Sequence, residues 1–198
     1  MNEFSRVPEQ GSFSRALTFG REWVRAPLRV GAVSPSGPAL AKAITKGISA
    51  TSSPVIELGP GTGVFTAALR ERGVSDDKIA LIEASAPFAN TLATRFPNIK
   101  VLNADASRIH HVSPFGKTGT GTIVCGLPLL SMPSAKVYRI VRGSFATLRT
   151  DGTIRLFSYT PICPVPTGIL DHLGVAVHRE SFVAANLPPA FVFTLAKE

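Results

Sequence analysis

From residue 54 onward, short apolar runs rich in β-branched residues alternate with amphipathic segments. This alternation constrains the fold more than any other feature of the chain. "PVIEL" is followed by the helical pattern "VFTAALRERG", and "KIALIE" (78–83) by "APFANTLATRF". "IKVLNAD" (99–105) and "GTIVCG" (121–126) precede "SAKVYRIVRGSFATL", in which Val137, Ile140, Val141, Phe145 and Leu148 share one helical face. "TIRLFSY" (153–159) is a fifth strand-like run. Parallel strands need crossover connections, so the alternation predicts a parallel sheet with helices on both faces. The chain ends differently, with "VAVHRESFVAA" and "AFVFTLAK" joined by "NLPP", which predicts one antiparallel strand pair. The expected fold is α/β: a doubly wound, seven-stranded, mostly parallel Rossmann-like sheet preceded by N-terminal helices.

Charge divides the chain. Residues 1–50 carry seven Lys or Arg against three Glu, which is half of the net +8 in a quarter of the 198 residues. A basic surface of this kind suits an anionic partner, nucleic acid or membrane. Residues 13–25, "FSRALTFGREWVR", read as an amphipathic helix, with Phe13, Leu17, Trp23 and Val24 on one side and Arg15, Arg21, Glu22 and Arg25 on the rest. Pro27 ends it, "GAVSPSGPA" (31–39) is turn-rich, and a second helix starts near Ser36. The apolar side either packs on its own domain or enters a lipid headgroup boundary. In the second case Arg15, Arg21, Arg25 and Arg29 meet anionic headgroups, at about 1 kcal/mol for each basic residue. The division expected is 1–50 as anchor and lid, and 51–198 as the main domain. No run of 18 or more apolar residues occurs, and the N-terminus lacks a signal-peptide pattern, so a cytoplasmic location is expected. Cys125 and Cys163 lie in apolar contexts and read as buried free thiols.

The first strand-like run ends in "VIELGPGTG" (55–63). Gly59, Gly61 and Gly63 stand between a strand and a helix, where a chain brings its backbone against a ligand. Val64 stands where a dinucleotide fingerprint requires glycine, and no P-loop lysine follows, so the ligand is not held through a pyrophosphate. Glu57 repels phosphate and attracts an ammonium or sulfonium group. Glu83, 20 residues past Gly63, stands where a carboxylate accepts both ribose hydroxyls, and Asp105 where one accepts from an adenine amino group. Three acids at successive strand ends fit a nucleoside with a cationic amino-acid tail, namely S-adenosylmethionine. No metal site is expected.

"VIELGPGTG", "ALIEAS", "NADAS" and "VCGLPLL" resemble the successive motifs of class I S-adenosylmethionine-dependent methyltransferases. Within that superfamily the chain looks most like the small bacterial phospholipid N-methyltransferases, through "PLRVGAVSPSG" (27–37), "FSYTPICPVP" (157–166) and "NLPPAFVF" (186–193). The resemblance covers roughly residues 13–196. It implies cofactor contacts at Glu57, Gly59, Gly61, Gly63, Glu83, Asp105 and Ala106, and it puts Gly126 and Leu127 beside the reacting methyl. Pro128 is expected at the substrate. Ser34 and Ser36 divide between capping a helix and touching the cofactor carboxylate, with Ser36 named as the contact. Tyr159, at the end of the fifth strand, matches a Tyr of the family motif and is the candidate catalytic residue. Its hydroxyl would orient the headgroup and its ring face the cation. His110, His111, His172 and His178 read as surface or structural.

The resemblance therefore implies successive N-methylation of phosphatidylethanolamine toward phosphatidylcholine, with the enzyme held peripherally on the inner face of the cytoplasmic membrane. Two alternatives stand beside it. The rRNA adenine dimethyltransferases carry N-L-P-Y or N-L-P-F after the fourth strand, whereas this chain reads Gly126-Leu127-Pro128-Leu129, without the amide and ring that a flipped base requires. Nucleic acid is therefore the less expected partner. The other alternative is a membrane-associated protein that binds S-adenosylmethionine without turnover.

Overall fold

The computed structural model describes residues 37–116 and 119–198. Phe13, Leu17, Trp23, Arg25, Arg29, Ser34 and Ser36 lie outside them, so the amphipathic helix and the Ser36 contact remain expectations.

Seven strands form one sheet: β1 (Val55–Leu58), β2 (Ile79–Glu83), β3 (Lys100–Asn103), β4 (Thr120–Cys125), β5 (Leu148–Ser158), β6 (Val175–Val183) and β7 (Ala190–Lys197). Their order is β3-β2-β1-β4-β5-β7-β6. The first five pair in parallel, and β7 runs antiparallel between β5 and β6. Strand β6 therefore points the same way as β5, and the carboxyl ends of six strands share one edge. The order reverses between β1 and β4, the place where sheets of this kind bind ligands.

The doubly wound reading follows from alternation within strands buried on both sides. Every residue of β1 and β2 is buried. Val55, Ile79, Leu81 and Val124 join one core cluster with residues of α1 (Pro38–Ile44), α2 (Val64–Glu71) and α3 (Ala86–Arg95). Ile56, Leu58, Ala80, Ile82, Ile123 and Cys125 join the other with α4 (Ile109–Val112), α5 (Ser134–Phe145) and α6 (Thr167–Leu173). Leu40, Ala41, Ile44 and Ile48 pack in the first cluster, so residues 38–48, assigned by sequence to the N-terminal segment, share this core. At the outer edge, exposed His178, Arg179 and Glu180 on β6 blunt pairing with another chain.

Boundaries differ from the sequence reading at three places. Helix α1 begins at Pro38 behind Gly37, because proline suits the first helical turn. Helix α5 stops at Phe145 and strand β5 begins at Leu148, five residues before the expected start, so Leu148 pairs in the sheet instead of sharing the helical face, with a register slip opposite Thr120 and Thr122. Strand β3 stops at Asn103, and Asp105 instead caps a 3₁₀ turn, Ala106–Arg108. Helices α4 and α6 are too short to leave a clear period. No helix among the described residues is long and apolar enough to cross a membrane.

Candidate active site

The site is assembled where β1 gives way to the glycine loop. Gly59, Gly61 and Gly63 adopt φ of 67°, 54° and 79°, the left-handed region that side chains disfavour. A Cβ on Gly59 would also stand 2.5 Å from Leu127 Cδ2, so that side chain would have to shift. A Cβ placed on Gly61 would meet no atom within 4 Å, so on that side the loop faces open space.

Glu57 lies beneath this loop, fully buried on the α1–α3 side of the sheet. Thr66 Oγ1, in α2, donates to Glu57 Oε2 at 2.6 Å. Oε1 has no hydrogen-bond partner among the described residues. Burial pushes the Glu57 carboxyl up to about 8; the Thr66 hydrogen bond pulls it down, and the charge of Glu83 adds to the rise. Burial therefore keeps the group protonated at neutral pH, and a cationic donor brought to Oε1 would displace that proton and leave a paired carboxylate. Thr66 was missed by the sequence reading, because a hydroxyl inside an amphipathic helix carries no sign of its partner nine residues earlier.

Glu83 is at the carboxyl end of β2. Its Oε2 accepts from Gly61 N–H at 3.3 Å and its Oε1 from Ser85 N–H at 2.9 Å, so the carboxylate is fixed against the loop. Asn103 Nδ2 donates to the carbonyls of Glu83 and Ala84 at 2.8 and 3.1 Å, tying the ends of β2 and β3 together.

Asp105 is more heavily engaged than its strand-end position suggests. Oδ1 accepts from Ser107 N–H at 2.8 Å, and Oδ2 pairs with Lys136 Nζ of α5 at 2.7 Å. Lys136, first among several causes, brings the carboxyl down to about 2 from its ordinary 3.8. Because the folded value is depressed, the stabilisation is present above pH 3.8 and is lost as pH falls through about 2. Both side chains are more than a third exposed, so the pair contributes less than about 1 kcal/mol. Lys136→Met should leave the unfolding free energy within about 1 kcal/mol and move the Asp105 carboxyl back toward the ordinary range, followed by NMR titration of that side chain. Ala106 is buried directly behind Asp105. A cavity of about 540 Å³ opens here, lined by Ala84, Asn103, Ala104, Asp105, Arg108, His111 and Val112.

On the other side of the switch point, Gly126 N–H donates to the Leu58 carbonyl at 2.8 Å, joining the ends of β1 and β4. Leu127 is half-buried against Gly59, and Pro128 is exposed. Leu129 is 3% exposed and belongs to the core cluster, so this position presents nothing toward a substrate.

Tyr159 follows the last residue of β5. Its ring meets Phe157 edge-on at 5.4 Å, and Phe157 meets Phe65 at 5.9 Å. Burial pushes the phenol well above its ordinary value, so it stays protonated and offers an O–H and a ring face rather than a phenolate base. The rings of His110 and His111 on α4 meet at 3.9 Å, tilted by 40°, and His111 borders the cavity near Asp105. Cys125 is buried, with burial raising its thiol to about 11, and Cys163 is half-buried; both are free. Among the described residues no group of three or more His, Cys, Asp or Glu is placed to hold a metal ion.

No protein-family model matches the chain. An ornithine lipid N-methyltransferase of Singulisphaera acidiphila is 26% identical over 137 residues, which is 67% of this chain and 71% of that protein. Among solved structures, a 1,6-didemethyltoxoflavin-N1-methyltransferase of Burkholderia thailandensis superposes with a TM-score of 0.64 at 15% identity, covering 98% of this chain and 93% of that one. A TehB-like S-adenosylmethionine-dependent methyltransferase of Corynebacterium glutamicum gives 0.61 at 11% identity, covering 94% and 100%. With the strand order, the switch-point loop and the antiparallel β7, these likenesses lead to one conclusion: the chain has the class I S-adenosylmethionine-dependent methyltransferase fold.

Proposed function

We propose that the chain is an S-adenosylmethionine-dependent N-methyltransferase acting on the amine headgroup of a membrane lipid. The observation that carries the cofactor assignment is Glu57, a buried carboxyl with one oxygen unpaired among the described residues, beneath an open glycine loop. Its unmet need is for a cation, and the cofactor's amino-acid end supplies an ammonium. Glu83 ends β2 and Asp105 stands two residues past the end of β3, where a ribose and an adenine would lie. The bound cofactor supplies an electrophilic methyl on sulfonium; the chain's residues supply position. The substrate ammonium must lose its proton before it attacks. Tyr159 stays neutral throughout, so its part is to orient the headgroup and face the cation, while the proton leaves to water.

Phosphatidylethanolamine and its methylated intermediates are the first substrates to test, at the inner face of the cytoplasmic membrane. An ornithine lipid is a second, favoured by the likeness to the Singulisphaera acidiphila enzyme. Both present a primary amine at a bilayer surface. The burial of Leu129 weighs against a flipped base, which needs a stacking ring in that loop.

The test is transfer of label from S-adenosylmethionine to vesicles of phosphatidylethanolamine or of ornithine lipid, each mixed with phosphatidylglycerol, with undermodified rRNA in parallel. Label in either lipid supports the reading and identifies the headgroup. Label in RNA alone overturns it. Cofactor binding with no label in any amine identifies a protein that binds without turnover.

A further inference from the structure

Apolar side chains left in water are normally scattered over a protein surface. Here they are not. Among the described residues five large hydrophobic side chains are exposed: Phe88, Leu130, Ile162, Phe182 and Leu187. Leu130 is in the segment after β4, Ile162 in the one after β5, and Leu187 in the connection from β6 to β7. Phe182 is the penultimate residue of β6, and Phe88 is in the first turn of α3, which leaves the carboxyl end of β2. Because β2, β4, β5 and β6 all point the same way, the five belong to one edge of the sheet, and the opposite edge has none of them. That edge is the one carrying the glycine loop, Gly126 and Tyr159.

The degree of exposure separates these residues from a substrate pocket. Leu130, Ile162 and Leu187 are 58%, 70% and 77% exposed, values of side chains standing off the surface rather than lining a concavity. We infer that Leu130, Ile162 and Leu187 form an apolar rim that inserts this edge of the domain into the headgroup layer of an anionic bilayer. The site then opens directly onto the lipid amine. This rests on the proposed lipid reading and adds the surface through which the lipid is reached.

Two features identify the occupant as a membrane. Gly37 N–H donates to Asn186 Oδ1 at 2.9 Å, so the chain enters α1 beside the same β6–β7 connection that bears Leu187. The 36 residues preceding Gly37 include five Arg and the apolar set Phe13, Leu17, Trp23 and Val24, and that basic, amphipathic sequence joins the domain at the rim. The second feature is charge: a chain of net +8 is drawn to a surface bearing anionic headgroups.

The test compares the full-length chain with Leu130→Ser/Ile162→Ser/Leu187→Ser, and with Ile162→Ser alone, on vesicles of phosphatidylethanolamine and phosphatidylglycerol. Flotation reports binding. Methyl transfer is measured on the vesicles and on a short-chain phosphatidylethanolamine kept monomeric. The triple variant should float at least about tenfold less and lose a similar factor in kcat/KM on vesicles, with the rate on monomeric lipid unchanged. The single variant should lie between. Undiminished flotation overturns the rim, as does an equal loss on monomeric lipid, which would put these residues at the substrate. A dimer of the wild-type chain that the triple variant dissolves, seen by sedimentation, would assign the edge to a second copy and overturn the inference. If the wild-type chain floats, the triple variant does not, and neither methylates any lipid, the rim stands and the proposed function fails.

Discussion

Glu57→Gln is expected to give a chain that is more stable without cofactor at alkaline pH and much weaker in binding it. Burial holds the folded carboxyl near 8 against an ordinary value of 4.5. Between those two values the folded state keeps a proton that the unfolded state has released. Stability therefore falls as pH rises from 4.5 to about 8 and then levels off. At about 1.4 kcal/mol per unit, this one side chain withdraws about 5 kcal/mol by pH 8.5. Gln has nearly the same shape, can accept the Thr66 hydrogen bond, and does not titrate. Urea unfolding without cofactor should find the two proteins equal near pH 4.5, with the variant ahead by up to about 5 kcal/mol at pH 8.5. S-adenosylmethionine should bind the variant about 10- to 100-fold more weakly by calorimetry, the range for losing a charge-assisted hydrogen bond. A stability difference that does not change with pH would mean that Glu57 is not buried as a titrating group. Unchanged cofactor affinity would make it a core residue only.

The contrast between Glu57 and Asp105 shows how far the sequence could be read. Both stand near strand ends, and spacing alone gives them similar weight. The strands themselves were legible, because "VIEL" and "IALIE" are short apolar runs whose one acid falls at or next to the end, and the Gly-rich turn after the first fixes where the helix must start. Which partner each acid finds depends on a different element. Thr66 on α2 and Lys136 on α5 reach them across the fold, and nothing within a local window announces either approach. The end of β3 was misplaced for a related reason. Asp105 completes a 3₁₀ turn through its own side chain, a local bond that competes with extending the strand. The exposed rim was illegible because Leu130, Ile162 and Leu187 look like core residues until the topology brings their loops to one edge.

Gly126→Ala should abolish most of the activity while leaving a folded protein. A Cβ at Gly126 would lie 2.8 Å from the Gly59 carbonyl oxygen and 3.4 Å from that of Leu58. Both are backbone atoms at the junction of β1 and β4, so no rotamer change can make room. The methyl must push the glycine loop away, stretching the 2.8 Å bond from Gly126 N–H to Leu58. Overpacking of this sort costs about 1–3 kcal/mol of stability. Displacing the loop that positions the cofactor by a few tenths of an ångström to an ångström costs up to about 100-fold in rate. Gly73→Ala supplies the comparison. Gly73 has φ 82° just past α2 and no atom within 4 Å of a Cβ, so its replacement costs about 1–2 kcal/mol of backbone strain and displaces nothing at the site. Urea unfolding should show similar losses for the two variants, whereas kcat/KM for methyl transfer should fall about 100-fold for Gly126→Ala and stay within about twofold for Gly73→Ala. Equal activities at matched stability would mean that the β1–β4 junction holds the fold together but does not position the reaction.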